Sequence, residues 1–219
     1  MIIIGLFGKT GCGKTEILDL LKEKDYSVVD IEGCANTKGS VLGDLYHLKQ
    51  NNQEIFDKFL SEQHDKALKK GYCIVEFEGR YIGGQEKVKI PEPYSNLKNY
   101  KHNILIDCPY DCQMKRLLKW YEPQNEQEKE MLINKIKLLE SFFKNKLVDV
   151  LKEIEELIIN DEYYKASQMI EQHLYADHYL RHIQKVDCNL KINNVDSKDS
   201  INEVVDYINV ILKENNLKP

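Results

Sequence analysis

The chain has 219 residues, which is long enough for one sizeable α/β domain with an insertion, or for two small domains. Its formal charge of −5 argues against a global positive field that would hold nucleic acid, although a local basic face is still compatible with it. No run of about 18 apolar residues occurs, and the apolar start has no basic leader, so we expect no membrane span and no secretory signal. The six cysteines form no CxxC pair and fit reduced thiols, so we expect a cytoplasmic protein.

Strand and helix patterns alternate through the first half of the chain. The sequence predicts strands in MIIIGLFG, YSVVDIEG, YCIVEFEG and NILIDCP, and helices in 13–24, QEIFDKFLSEQHDKALKKG and YDCQMKRLLKWY. Gly71 closes the second of these helices, and Pro109 stops the fourth strand. Such alternation predicts βαβ units and therefore an α/β fold, in which a mostly parallel sheet carries helices on both faces.

The second half of the chain has a different pattern. Apolar residues recur at steps of three or four from Leu132 to Leu157, which predicts either one long amphipathic helix or two helices in tandem. We therefore expect a helical insertion over about 125–172. Residues 187–215 then predict a short strand, an Asp/Ser turn that can cap a helix, and a terminal helix. No linker or repeat separates these parts, so we expect residues 1–219 to form a single domain.

The first strand runs directly into a phosphate-loop motif. GKTGCGKT, from Gly8 to Thr15, fits the pattern G-x-x-x-x-G-K-[ST], with a strand before it and a helix after it. Its glycines permit backbone conformations that point successive N–H groups at an anion, and the following helix adds its N-terminus. Lys14 would reach the terminal phosphates, and the Thr15 hydroxyl would hold Mg²⁺. The sequence therefore predicts a site for a phosphorylated ligand.

A carboxylate that organises Mg²⁺ is expected at the end of a neighbouring strand. Asp30, Glu76 and Asp107 each follow an apolar strand run. We favour Asp30 and Glu76, because further polar residues follow each of them, whereas Asp107 precedes a proline turn.

A second Gly-rich polar segment, DIEGCANTKGSVLG, lies between Asp30 and Gly43. Glycines let a backbone approach a ligand closely, and polar groups spaced among them can contact it. We expect the segment to present four ligand-facing groups, namely Glu32, Asn36, Lys38 and Ser40.

Four segments, in this order, resemble the phosphate-loop domain of tRNA 2-selenouridine synthase. They are GKTGCGKTE at 8–16, DIEGCANTKGSVLG at 30–43, QNNQEIFD at 50–57 and EFEGRYIG at 76–83. The resemblance implies a P-loop NTPase-like fold. The sequence departs from the family's pattern where Thr37 replaces a histidine, Lys38 an arginine and Gly79 a serine. An Arg-to-Lys change turns a bidentate anion contact into a single-point one.

The resemblance implies a reaction on the wobble base of tRNA. In that family the sulfur of 2-thiouridine is alkylated with geranyl diphosphate, and selenophosphate then displaces the geranylthio group to give 2-selenouridine. The P-loop would bind the diphosphate together with Mg²⁺, which Thr15 and Asp30 would hold. The implied catalytic residues are Lys14, Lys38, Glu76 and Arg80. The implied ligand-binding residues are Gly8, Gly11, Cys12, Gly13, Lys14, Thr15, Glu16, Asp30, Glu32, Asn36 and Ser40.

The resemblance also implies a protein partner. Proteins of the family generally begin with a rhodanese-like domain, whose catalytic cysteine starts a C-x5-R loop. In this sequence the first strand begins at Ile2, and none of the six cysteines starts such a loop. We therefore expect the rhodanese-like half to be a separate subunit.

The other implied partner is the anticodon region of tRNA. Basic residues that lie beside aromatic ones can contact phosphates while the rings stack on splayed bases. Two such clusters occur, Lys98, Lys101 and His102 near Tyr94 and Tyr100, and Lys115, Arg116 and Lys119 near Trp120 and Tyr121. Further lysines lie along the predicted insertion at Lys135, Lys137, Lys144 and Lys146.

Two other functions fit the same phosphate loop. An ATP-dependent small-molecule or nucleoside kinase would show the same alternation of strands and helices, although the segments at 30–43 and 50–57 disfavour it. A nucleotide-binding regulatory subunit, active only through its partner, is the non-enzymatic alternative. In both cases ATP or GTP would occupy the loop.

Overall fold

A five-stranded sheet runs through the structure, a computed structural model that describes residues 1–39, 42–43, 45–46, 49–84, 86–142, 146–175, 184 and 186–219. The strands of this sheet are β1 (Ile2–Phe7), β2 (Val28–Val29), β3 (Tyr72–Glu76), β6 (Tyr100–Asp107) and β7 (Leu190–Asn193). They lie in the order β2–β3–β1–β6–β7, and every neighbouring pair is parallel. The predicted parallel sheet is confirmed.

Helices account for most of the remaining chain. They are α1 (Lys14–Glu23), α2 (Ile31–Ala35), α3 (Gln53–Lys70), α4 (Tyr110–Tyr121), α5 (Glu126–Phe142), α6 (Lys146–Ile159), α7 (Tyr163–Ile170) and α8 (Ser197–Glu214), with a 3₁₀ turn at Leu97–Asn99 and a π-helical turn at Glu171–Tyr175. Gly71 ends α3 in the left-handed conformation, as its position in the sequence predicts. No helix in the described part of the chain is both long enough and apolar enough to cross a membrane.

Alternation along β1 divides the core between the two faces of the sheet. Ile3 and Phe7 join the apolar cluster that α2 and α3 cover, whereas Ile4 and Leu6 join the cluster that α1 and α8 cover. Successive strand residues point to opposite faces of the sheet. Where helices cover both faces, both sets of side chains are buried, and the whole strand is therefore apolar. The helices therefore lie on both faces, as predicted.

The insertion forms a helical unit of its own beside the sheet. Two ion pairs join α5 to the α6 side, Lys129 Nζ to Asp161 Oδ1 at 2.6 Å and Lys137 Nζ to Glu155 Oε1 at 3.0 Å. From the first ion pair to the second, the residue number on α5 rises from 129 to 137, whereas that of its partner falls from 161 to 155. The two helices α5 and α6 therefore run antiparallel. The sequence analysis left open whether this segment forms one long helix or two. The structure has two helices there, α5 and α6.

Two local predictions change in the structure. The second strand was expected to extend through YSVVDIEG, but β2 has only two residues, and helix α2 starts at Ile31 because the Asp30 side chain accepts a hydrogen bond from the Gly33 N–H at 2.8 Å. A short antiparallel hairpin, β4 (Tyr81–Ile82) with β5 (Val88–Lys89), was not predicted.

The end of the chain agrees with the sequence analysis. Strand β7 and helix α8 both fall within 187–215. Asp196 caps α8 by accepting a hydrogen bond from the Lys198 N–H at 2.7 Å.

Candidate functional site

The turn between β1 and α1 has the backbone conformation that its glycines permit. Gly11 and Gly13 have φ values of 82° and 89°, in the left-handed region that favours glycine. A Cβ atom on Gly13 would also collide with the Asn194 side chain. The turn leads directly into α1, so an anion bound against it would meet the N-terminus of a helix.

Lys14 follows this turn as the first residue of α1, and 7% of its surface is exposed. Its Nζ donates hydrogen bonds to the carbonyl oxygens of Gly8 at 2.8 Å and Lys9 at 2.9 Å, and it lies 3.2 Å from Glu76 Oε1. Burial opposes the charged form, but the negative charges of Glu76 and Glu78 outweigh it and raise the pKa of Lys14. A buried ammonium group therefore stands where a phosphate would bind.

Three carboxyl groups gather beside that ammonium group. Carboxylate oxygens of Glu32, Glu76 and Glu78 lie within 4.8 Å of one another. Glu76 reaches this place because β3 pairs with β1 and ends beside the phosphate loop, where Leu6 pairs with Glu76. Glu32 comes from α2, and it accepts a hydrogen bond from the Gly39 N–H.

The crowding of these carboxyl groups changes their acidity. Burial, together with the charge of Glu76, raises the pKa of Glu32 to about 7. Burial and the charges of Glu76 and Glu32 raise the pKa of Glu78 well above its ordinary value. Close, poorly solvated carboxyl groups cannot all ionise without a cation among them.

The same residues suit a magnesium ion. Mg²⁺ prefers hard oxygen ligands, and the three carboxyl groups and the Thr15 hydroxyl are of that kind. One oxygen of Glu78, Oε1, is buried without a hydrogen-bond partner among the described residues, and a cation would satisfy it. The donor set of this cleft therefore fits Mg²⁺.

One long cleft contains the turn, the ammonium group and two of the carboxyl groups. The space between its walls is about 770 Å³ when the open solvent at its mouth is included. Its opposite wall comes from α4, with Arg116, Leu117, Trp120 and Tyr121. The cleft thus has a charged floor and a partly apolar wall.

The second Gly-rich segment reaches the cleft at Lys38 and Gly39. The Lys38 Nζ lies 4.5 Å from the ring centroid of Trp120, a cation–π contact that spans the mouth of the cleft. Trp120 is 50% exposed, so one aromatic ring of the wall remains open to solvent.

The tRNA 2-selenouridine synthase AAA domain family matches residues 1–190. The chain belongs to this family. A protein of Methanocaldococcus jannaschii named "Uncharacterized protein MJ0053" is 52% identical over 218 residues, which span 99% of this chain and 96% of that protein. A tRNA 2-selenouridine synthase of Hydrogenovibrio crunogenus is 28% identical over 127 residues, which span 57% of this chain and 33% of that protein.

Solved structures also resemble the chain. TT1252 of Thermus thermophilus has 11% sequence identity and a TM-score of 0.42, with 96% of this chain and 97% of that chain covered. Shikimate kinase of Bacteroides thetaiotaomicron has 14% identity and a TM-score of 0.38, with 95% and 98% covered.

Most of the residues that the selenouridine synthase motifs implied do lie together. Those that line the cleft are Gly11, Gly13, Lys14, Thr15, Glu16, Glu32, Lys38 and Glu76. Gly8 and Cys12 belong to the backbone of the turn, where the Gly8 carbonyl holds Lys14. The Glu16 carboxylate accepts a hydrogen bond from Ser197 Oγ at 2.7 Å and pairs with Arg116 Nε at 3.3 Å, so its contacts in the structure are protein groups.

Three of the implied residues are not among those that line the cleft. The Asp30 carboxylate caps α2 and pairs with Lys22 Nζ at 2.7 Å. Asp30 does not line the cleft, so its expected role in holding Mg²⁺ has no geometric support. Asn36 Nδ2 donates to the Lys49 carbonyl oxygen at 2.8 Å. Arg80 has an exposed side chain at the start of the β4–β5 hairpin, away from the cleft walls. Ser40 lies outside the described residues.

The two basic clusters differ in the structure. Tyr94 and Tyr100 are 1% and 6% exposed, so they cannot stack on a base, and the expected role of the cluster with Lys98 and Lys101 is wrong in this respect. The other cluster has exposed Lys115 and Lys119 on α4, next to the half-exposed Trp120. Lys137 pairs with Glu155, whereas Lys144 and the side chain of Lys146 lie outside the described residues.

Sequence reasoning missed two further parts of the site. Glu78 follows Glu76 by two residues, and this spacing on extended backbone could have indicated that both point the same way. Gln113 has a buried side chain whose Nε2 donates to the Thr10 carbonyl oxygen at 2.8 Å and lies 3.3 Å from Glu171 Oε1. The family's pattern has an arginine at the position of Gln113, but the sequence does not show that Gln113 faces the phosphate loop, because its partners are distant in the chain.

Proposed function

We propose that this chain is the phosphate-loop subunit of a tRNA 2-selenouridine synthase. It binds the diphosphate of geranyl diphosphate and helps to convert 2-thiouridine at the tRNA wobble position to 2-selenouridine, by way of S-geranyl-2-thiouridine. The observation that carries the proposal is the cleft, in which the phosphate loop and Lys14 meet Glu32 and Glu76, with Glu78 beside them, in a chain of the selenouridine synthase family.

The charged floor of the cleft suits the first step of such a reaction. As the 2-thio sulfur takes the geranyl group, the allylic C–O bond breaks and its electron pair leaves with the diphosphate. The negative charge would develop against the N–H groups of the turn and the Lys14 ammonium group. A bound Mg²⁺ would supply further positive charge there. Lys14 would exchange its contact with Glu76, 3.2 Å away, for a contact with phosphate oxygens.

The apolar part of the cleft suits the rest of the two substrates. Leu117, Trp120 and Tyr121 lie on the wall that faces the phosphate loop. A ten-carbon allylic chain needs such a surface, and an exposed tryptophan ring can also stack on an extruded base. Lys115 and Lys119 on the same helix would contact phosphates of the tRNA anticodon region.

The second step would use a catalytic cysteine, and Cys34 and Cys73 are unsuited to that role. Cys34 and Cys73 are buried, and burial raises the pKa of each to about 12, so neither is a ready thiolate. The catalytic cysteine would come from a separate rhodanese-like subunit, which would act with selenophosphate on the geranylated base. The complete reaction would be that of a transferase acting in tRNA modification, in the cytoplasm.

Thermal unfolding with added ligands tests the identity of the bound phosphate compound. Geranyl diphosphate with Mg²⁺ at one hundred times its dissociation constant should stabilise the protein by about 2.7 kcal/mol, and raise Tm by roughly 5 to 10 °C. Lys14→Ala should abolish this shift. Lys24→Ala, at the exposed end of the same helix, should keep it. Stabilisation by ATP alone would instead favour a kinase, and nucleotide binding without turnover a regulatory subunit.

Analysis of the wobble base after deletion of the gene tests the reaction itself. Deletion should remove 2-selenouridine from tRNA and leave 2-thiouridine in its place. An unchanged amount of 2-selenouridine would overturn the proposal, whatever the ligand specificity of the isolated protein.

A further inference from the structure

Two cysteine side chains meet beneath the phosphate loop. Cys12 lies inside the loop between Gly11 and Gly13, and Cys108 directly follows β6. The Cys108 S–H donates to the Cys12 sulfur, with the two Sγ atoms 3.4 Å apart, and it also lies 3.9 Å from the Gly11 carbonyl oxygen. Both cysteines are free thiols in the structure.

The backbone on each side fixes this approach. Asn194 Nδ2 donates to the Cys12 carbonyl oxygen at 2.8 Å, which holds the loop from the β7 side. The Cys108 N–H donates to Asp107 Oδ1 at 2.9 Å, and Asp107 ends a strand that pairs with β1 and β7. Cys112, one helical turn further in α4, makes no sulfur–sulfur contact within the described residues.

We propose that Cys12 and Cys108 are an oxidisable pair, and that their disulfide prevents the phosphate loop from binding its anion. The disulfide would be a covalent modification beneath the phosphate loop, and its formation needs a two-electron oxidant of the peroxide class. The inference requires only a loop that binds a phosphate group, so it does not depend on geranyl diphosphate being that ligand.

The chemistry is balanced with hydrogen peroxide as the oxidant. The Cys12 sulfur attacks one peroxide oxygen, the O–O bond breaks, and one water leaves with the Cys12 proton, so that Cys12 becomes a sulfenic acid. The Cys108 sulfur then attacks the Cys12 sulfur, the S–O bond breaks, and the second water leaves with the Cys108 proton. The hydrogen bond from Cys108, aided by the charge of Lys14, outweighs the opposing effect of burial and lowers the pKa of Cys12, which favours the attacking thiolate.

The geometry explains why binding should suffer. A disulfide needs a sulfur–sulfur distance of about 2.05 Å, so the 3.4 Å gap must close by more than 1 Å. Cys108 is anchored at the end of a paired strand, so much of this movement falls on the loop. The N–H groups of Gly11 and Gly13 flank Cys12 and would be displaced from the positions that an anion requires.

Thiol counting and peptide mapping test the bond. After treatment with hydrogen peroxide, four of the six thiols should still react with a thiol reagent in denaturant. The tryptic peptide 10–14 should be linked to peptide 102–115, which contains both Cys108 and Cys112. Cys112→Ser should therefore keep the link, and Cys108→Ser should lose it. No loss of thiols, or a link that survives in Cys108→Ser, would overturn the assignment.

Binding of pyrophosphate with Mg²⁺ tests the consequence. The oxidised protein should bind pyrophosphate about tenfold more weakly than the reduced protein, or worse, and dithiothreitol should restore the affinity. Peroxide-treated Cys108→Ser should bind as the untreated variant does, with circular dichroism confirming that it is folded. Equal binding by the oxidised and reduced wild-type protein, or none by the reduced form, would overturn the proposed effect on the loop.

Discussion

The Lys14 ammonium group lies beside a group of three carboxyl groups next to the phosphate loop. Lys14 compensates Glu76 at 3.2 Å, but Glu32 and Glu78 then remain close to a negative charge in a poorly solvated place. Their pKa values rise for this reason, that of Glu32 to about 7. The repulsion among these carboxyl groups is therefore unfavourable. Binding of a divalent cation, or protonation of a carboxyl group, would relieve it.

Glu32→Gln should remove a pH-dependent loss of stability. In the wild-type protein, folding raises the pKa of Glu32 from 4.5 to about 7, so the folded state binds more protons than the unfolded state in that window. Stability from this group is therefore present at low pH and is lost as pH rises from about 4.5 to about 7. Above pH 7 the free energy of unfolding of the variant should exceed that of the wild type by up to about 3 kcal/mol, because the variant has no carboxylate to bury. The Gln side chain can still accept the hydrogen bond from the Gly39 N–H.

Urea unfolding at pH 5 and pH 8 in the presence of EDTA measures this difference. Glu62→Gln is the matched control, since Glu62 is exposed on α3, and its effect should be small at both pH values. An equal effect of Glu32→Gln at the two pH values would contradict the electrostatic explanation of the cluster.

The sequence predicts the site well where the chemistry is local. The phosphate loop is such a case, because Gly11, Gly13 and Lys14 act through backbone conformation and adjacency. Asp30 shows the limit: a carboxylate after a strand suggested a metal ligand, but the same residue is a good N-cap, and in the structure it caps helix α2 instead. Glu32, two residues further, reaches the cleft in its place.

At the scale of elements, helix α4 connects the parts of the site. Gln113, Leu117 and Trp120 lie three or four residues apart and so share one side of the helix. Gln113 contacts the phosphate loop, while Leu117 and Trp120 line the cleft. The sequence predicts α4, but which of its residues face the loop depends on pairing between distant strands, which periodicity does not encode.

Trp120→Ala should weaken binding of an anticodon stem-loop RNA that carries 2-thiouridine at the wobble position. Loss of one stacked base costs about 1 to 3 kcal/mol, so the dissociation constant should rise about tenfold. Tyr110→Ala is the matched control, because Tyr110 is 46% exposed at the start of the same helix and is not a cleft wall. Fluorescence anisotropy measures both variants, and equal losses would contradict a specific role for Trp120.

At the scale of the whole molecule, the helical insertion shares its core with the sheet domain through α4. Met114 and Leu117 of α4 pack in one apolar cluster with Ile136 of α5 and Ile154 of α6. Polar contacts add to this, since Gln113 joins the phosphate loop to Glu171 and Lys9 Nζ lies 3.8 Å from the same carboxylate. On these contacts we infer that the insertion and the sheet unfold together; that residues 1–219 form a single domain stays a prediction.

Hydrogen exchange with and without a phosphate-loop ligand tests this cooperativity. Pyrophosphate with Mg²⁺ at one hundred times its dissociation constant stabilises the bound state by about 2.7 kcal/mol. If α6 opens only when the whole molecule unfolds, its most protected amides should slow by the same factor as those of β1, although α6 does not touch the ligand. Slower exchange in β1 with no change in α6 would show instead that the insertion unfolds by itself, and that α4 transmits no stability between the two.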